Sequence, residues 1–225
     1  MLRRLSWLEF RIDLENENFN NYIEFMEENI IKEQSQLEKS YEEYIKNYPP
    51  EDHEQIFEYM YENRFYNISE TFPKILRTSA LISQYAYLEK TLNTISKVCE
   101  RTYNLSISPE DIRHNGVKKY LFYLHKVVGL NINDTEILWQ KIYAYNQIRN
   151  RFVHSPEENY TAKEKATFEQ KIKGLLFEQN SVKTNIFKLK NIEKEINTDF
   201  LELHTKALKI VTDEIKKKDE KLGQQ

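Results

Sequence analysis

Arg149-Asn150-Arg151-Phe152-Val153-His154 is the stretch of this 225-residue chain whose side chains are best suited to chemistry. A guanidinium, an amide and an imidazole within six residues can act on a phosphodiester without a metal. An imidazole titrates near neutrality and works as base or acid. A guanidinium keeps its proton, grips phosphate oxygens in pairs and stabilises charge growing on a phosphorane-like transition state. The amide can hold either partner in place. On RNA, the base would take the proton of the 2′-hydroxyl.

These residues end a predicted helix from Thr135 to His154, capped by Asn133 or Asp134 and stopped by Ser155-Pro156. At about 100° per residue, Leu138, Ile142, Tyr145, Phe152 and Val153 form one apolar stripe, and Arg149 falls in its middle. A guanidinium there needs a counter-charge or an exit to water. Asn150 and His154 are four residues apart and share one flank. Arg151 falls on the opposite face, outside the catalytic set. Plainer readings also fit: Arg149 pairs with a carboxylate such as Glu89, and His154 caps the helix end.

The elements that must position the hexad are helical. With only 4 Gly and 5 Pro, the chain has few breakers, and its composition of 40% hydrophobic and 31% charged residues suits a soluble core. Trp7, Phe10 and Leu14 predict a short helix. A long one follows over Asn18 to Tyr48, ended by Pro49-Pro50. Glu51 to Tyr66 restarts a helix, and Asn67 to Pro73 reads as a connector. Lys74 to Tyr103 carries the cleanest stripe: Leu81, Tyr85, Leu88, Leu92, Ile95 and Cys99. Ser108-Pro109-Glu110-Asp111 is a helix start. A short helix spans Val117 to Val128. Residues 157–167 are polar and begin as a loop. Ile172 to Phe177 and Thr184 to Leu189 can pair as a small β-hairpin. A last helix covers Glu193 to Lys218. The expected fold is all-α, an antiparallel bundle, with an acidic N-terminal helical extension over 1–69 and a helical domain over 70–225.

Charge divides the same way. Residues 1–66 hold 7 Lys/Arg and 16 Asp/Glu, a balance of −9, and the remainder balances to +6. A mildly basic body can approach a polyanion. The acidic arm could cover that body or form a dimer surface. No stretch approaches the roughly 18 apolar residues of a membrane span, and Met1-Leu2-Arg3-Arg4 is followed by no secretory pattern. A cytoplasmic protein without membrane contact is expected. Cys99 stands alone, so neither a disulfide framework nor a cysteine-based zinc site is available. His53, His114, His125 and His204 are scattered singly, and no nucleotide-binding glycine motif occurs. No cofactor is expected.

The hexad reads R-N-x-x-x-H at the end of a helix, about 60 residues after the helix containing Tyr87-Leu88-Glu89-Lys90-Thr91-Leu92. This resembles the HEPN superfamily, whose motif is an Arg, usually followed by a polar residue, then a His after four to six intervening positions. Arg149, Asn150 and His154 match it. The resemblance covers 70–225. It implies a metal-independent endoribonuclease, commonly a homodimer with two motifs in one interfacial cleft. Many members are toxins or antiviral, abortive-infection effectors, some with an antitoxin, and others are inactive RNA-binding or interaction modules. Some use an acid from an earlier helix, for which Glu89 is the candidate. A subset carries a modified tyrosine two residues after the His. Pro156 stands there in this chain, so that form of regulation is not expected.

Overall fold

The structure, a computed structural model, describes residues 2–133, 136–154, 159–181 and 185–223. The cap at Asp134, the helix start at Thr135, the stop at Ser155-Pro156 and the strand start at Thr184 lie outside these residues. Helix α1 (Leu2–Ile45) runs 44 residues, about 66 Å at 1.5 Å per residue. The expected boundary between Leu14 and Asn18 is absent, because no Gly or Pro interrupts this stretch. Trp7 and Phe10 are exposed, and Ile12, Ile23 and Leu37 form the buried side instead.

The chain turns at Pro49 and resumes helical structure at once. A 3-10 turn (Pro50–Asp52) leads through α2 (His53–Ile56) and α3 (Glu62–Tyr66) to α4 (Phe72–Thr102), with π-helical turns at Phe57–Tyr61 and Asn67–Thr71. The expected connector over 67–73 is therefore helical. Pro73 cannot donate to the carbonyl one turn back and crowds it. The wider π turn just before it relieves that conflict. Tyr41 packs edge-on against Phe57, Tyr61 and Phe65, closing α1 onto the returning chain.

Helix α4 buries the predicted stripe from Leu81 to Cys99 and packs against α1 and later helices. Ser108 caps only a 3-10 turn (Pro109–Asp111), not a longer helix. Next come α5 (Gly116–Phe122), a π turn (Tyr123–Val127) and α6 (Ile137–His154). The region after α6 departs most from expectation. It folds as β1 (Asn159–Thr161), α7 (Ala162–Lys171), β2 (Leu175–Ser181) and β3 (Ile186–Ile192), followed by α8 (Glu195–Gly223). The predicted hairpin is present as β2–β3, displaced a few residues toward the C-terminus. β1 adds a third strand, in the order β1-β3-β2, with both pairings antiparallel. Tyr160 anchors it by packing edge-on against Phe168 and Phe177. The fold is mainly α with one small antiparallel sheet.

α1 is tied to the rest by packing and charge. Ile12 joins the buried cluster that contains Tyr85, Trp139 and Phe200. Arg77 grips Glu27 at 2.6 and 2.7 Å and donates to the Ile192 carbonyl at 2.7 Å. Lys216 Nζ lies 2.5 Å from a Glu9 carboxylate oxygen. Among the described residues, no helix is long and apolar enough to cross a membrane.

Candidate functional site

Helix α6 presents Trp139, Ile142, Tyr145 and Ile148 to the core. The next turn places Arg149 at the edge of that face. Val153, expected within the stripe, is exposed instead. It lies in the helix's last turn. Arg149 Nη2 lies 3.3 Å from Glu89 Oε2 on α4, with the two side chains 21% and 25% exposed. The guanidinium carbon stands 5.3 Å from the centre of the Tyr85 ring, within cation–π range. Nη1 donates to Asn150 Oδ1 at 2.8 Å. Nε is buried and makes no hydrogen bond among the described residues. Arg149 thus finds the counter-charge its position demands, and Glu89 supplies it.

Glu89 is held from behind. Burial raises its carboxyl pKa above the usual range, and the Arg149 charge pulls against that rise. Gly116, at φ +61, begins α5 beside it; a Cβ there would sit 2.5 Å from Glu89 Oε1. Glycine is needed both for the left-handed backbone and for that space. Burial, then the Glu89 charge, pushes the Tyr85 phenol upward too.

Asn150 is the link outward. A guanidinium only donates, so its bond to Asn150 fixes which end of the amide faces inward. The Nδ2 donors are left for the opposite side. Asn150 also lines a cleft of about 610 Å³ between α6 and α7, together with Gln147, Arg151, His154, Lys163, Glu164, Thr167 and Phe168. Asn150 and His154 therefore share one cavity wall. Arg149 and Glu89 lie behind that wall and are not among its lining residues.

Arg151 lies on the face of α6 opposite the core, as its helical angle predicts, and that face lines the cleft. Its guanidinium bonds Glu164 and stands 5.4 Å from the centre of the Tyr160 ring. The face of α6 opposite the core is covered by α7, a helix that the reading of 157–167 as polar and beginning as a loop does not name. Residues 147, 151 and 154 then fall on one helical face toward α7.

His154, the last residue of α6, is exposed. No hydrogen bond to any described residue holds its ring. The other histidines sit elsewhere. His204 is buried and bonds Asn16 Oδ1 through Nδ1 at 2.9 Å. His125 Nδ1 bonds the Leu130 carbonyl at 3.0 Å. Among the described residues, no three His, Cys, Asp or Glu side chains gather as a metal site.

Lys163, Glu164, Thr167 and Phe168 were not among the sequence-based candidates. Their signal is Thr161-Ala162-Lys163-Glu164, a capping box. Thr161 Oγ1 accepts from the Glu164 amide, and the Glu164 carboxylate accepts from the Thr161 amide at 2.9 Å. The cleft brings together an imidazole, two amides, a lysine and the Arg151–Glu164 ion pair.

Comparison of the chain with protein-family models finds no match, and comparisons with curated proteins and with solved structures find none either.

Proposed function

We propose that the chain is a metal-independent endoribonuclease of HEPN type, with the α6–α7 cleft as its active site. The observation that carries this is the shared wall: Asn150 and His154 face one cavity, and Arg149 orients the amide from behind at 2.8 Å. His154 takes the proton of a ribose 2′-hydroxyl, whose oxygen then attacks the adjacent phosphorus. The bond from phosphorus to the 5′-oxygen breaks, and that oxygen takes a proton from water. The products are a 2′,3′-cyclic phosphate and a 5′-hydroxyl. Asn150 Nδ2 donates to a phosphate oxygen. Arg149, backed by Glu89, acts as a positioning residue through Asn150. The resemblance to toxin and antiviral effectors suggests a role in defence or growth control, with an antitoxin or other regulator as a possible class of partner. It also suggests a homodimer, with two copies of His154 facing across paired α6 ends. RNA incubated with the purified protein in EDTA is expected to be cut with these ends, and a His154→Ala protein is expected to leave it intact.

A second reading has its own observation. Both terminal nitrogens of Arg149 are engaged within the protein, as a purely structural arginine would be. On that reading the chain is a non-catalytic interaction or RNA-binding module. It predicts that Arg149→Ala lowers thermal stability while the wild type cuts no RNA. A folded Arg149→Ala protein that has lost cleavage would rule it out.

A further inference from the structure

The charges around the cleft are unevenly matched. Arg149 faces Glu89. Arg151 is held by Glu164 and the Tyr160 ring. Lys165, two residues along α7, lies 2.9 Å from Glu169 and 5.0 Å from the centre of the Phe187 ring. Lys163 is different. It is exposed, it lines the cleft with His154 and Asn150, and its ammonium has no carboxylate partner among the described residues. It also stands in the first turn of α7, directly before the Glu164 of the capping box. A cation there opposes the helix dipole, so helix stability does not explain a lysine at this position.

We infer that Lys163 is the cation that contacts the RNA phosphate in this cleft. The inference rests on reading the cleft as an RNA site, and it moves the phosphate-gripping role from Arg149 to a residue on another helix. Arg149 has a guanidinium already bonded to Asn150 and Glu89 and turned away from the cavity. Lys163 carries three donors on a flexible stem, with no carboxylate partner among the described residues. With His154 on α6 and Lys163 on α7, a phosphodiester lying between the two helices meets a proton acceptor on one side and a mobile positive charge on the other. Asn150 Nδ2 supplies the orienting hydrogen bond.

A single-stranded RNA of mixed sequence with every 2′-oxygen methylated keeps its phosphates but cannot be cleaved by 2′-attack. Binding of this probe is measured over a series of salt concentrations for wild type, Lys163→Ala, Lys163→Arg and Lys165→Ala. Loss of one phosphate contact lowers the slope of log affinity against log salt by about 0.7 for single strands. Lys163→Ala is expected to show that loss and several-fold weaker binding, with no fall in Tm. Lys163→Arg is expected to restore both, and Lys165→Ala to change neither. A Lys163→Ala protein with wild-type slope and affinity overturns the inference, as does a wild type that does not bind the probe. Lys163-dependent binding in a protein that leaves unmodified RNA uncut would instead sink the ribonuclease reading and leave this inference standing. Cleavage untouched by Lys163→Ala would do the reverse.

Discussion

Arg149 Nη1 donates to Asn150 Oδ1 across 2.8 Å, so two neighbours in the chain are bonded side chain to side chain, one behind the cleft wall and one on it. The bond reaches back through Arg149 to Glu89 on α4 and from there to Gly116 on α5. A single face of the cavity is thus set by three helices.

Removing the guanidinium leaves the Glu89 carboxylate partly buried without its counter-charge. Arg149→Ala is expected to cost about 1–3 kcal/mol, the scale of an unsatisfied buried polar group. The same change in a Glu89→Gln background should cost less, because no charge is then stranded. Urea unfolding of the four proteins of this double-mutant cycle measures the coupling directly. Equal costs in both backgrounds would contradict the pairing.

Gly116 tests the other end of the chain of contacts. Gly116→Ala is expected to destabilise by about 1–2 kcal/mol from the left-handed backbone alone, and further through the clash with Glu89 Oε1. Shortening the neighbour by Glu89→Ala should recover the clash and leave the backbone cost. Thermal melts of Gly116→Ala, Glu89→Ala and the double variant separate the two parts.

The helices around this site were legible where one face alone is buried. The α4 stripe and the span of α6 follow from apolar residues at helical spacing, and Arg149 stood out because it interrupts that pattern. The α1 outer face misled for the same reason: Trp7, Phe10 and Leu14 have helical spacing but are exposed. Spacing cannot tell which of two opposite apolar faces meets the core. The cleft's second wall was harder still. α7 is ten residues long with Phe168 as its buried residue, so periodicity carries almost no signal there. Without α7, the outer face of α6 looks like solvent, and nothing in the spacing pairs Arg151 with Glu164.

His204 gives a pH dependence with a definite sign. Burial lowers its pKa from 6.5 to about 4 in the folded protein. Between those values the unfolded chain takes a proton that the folded one refuses. Stability from this group is therefore complete above pH 6.5 and is lost as pH falls toward 4. The loss approaches about 1.4 kcal/mol per pH unit within that window. The difference in unfolding free energy between wild type and His204→Gln, followed from pH 7 to 4, should trace this slope. A difference independent of pH would contradict it.

Cys99 lies on the buried face of α4, fully shielded. Burial pushes its thiol up to about 12, with the Asp219 charge adding to the rise. The thiolate is the reactive form. Native protein at pH 8 is expected to resist iodoacetamide over hours, and denatured protein to be labelled once per chain by mass spectrometry. Rapid labelling of the native protein would contradict the placement of this residue in the core.

The central claim is that His154 exchanges protons with RNA at the cleft it shares with Asn150. The most direct measurement is single-turnover cleavage of an unstructured RNA in EDTA by wild type and by His154→Ala, with the product ends identified. His154 is exposed, so its loss should leave folding intact. Cleavage by the wild type to 2′,3′-cyclic phosphate and 5′-hydroxyl ends, slowed about 10²–10⁴-fold in the variant, is the predicted result. Equal rates in the two proteins, or no cleavage by the wild type, would contradict it.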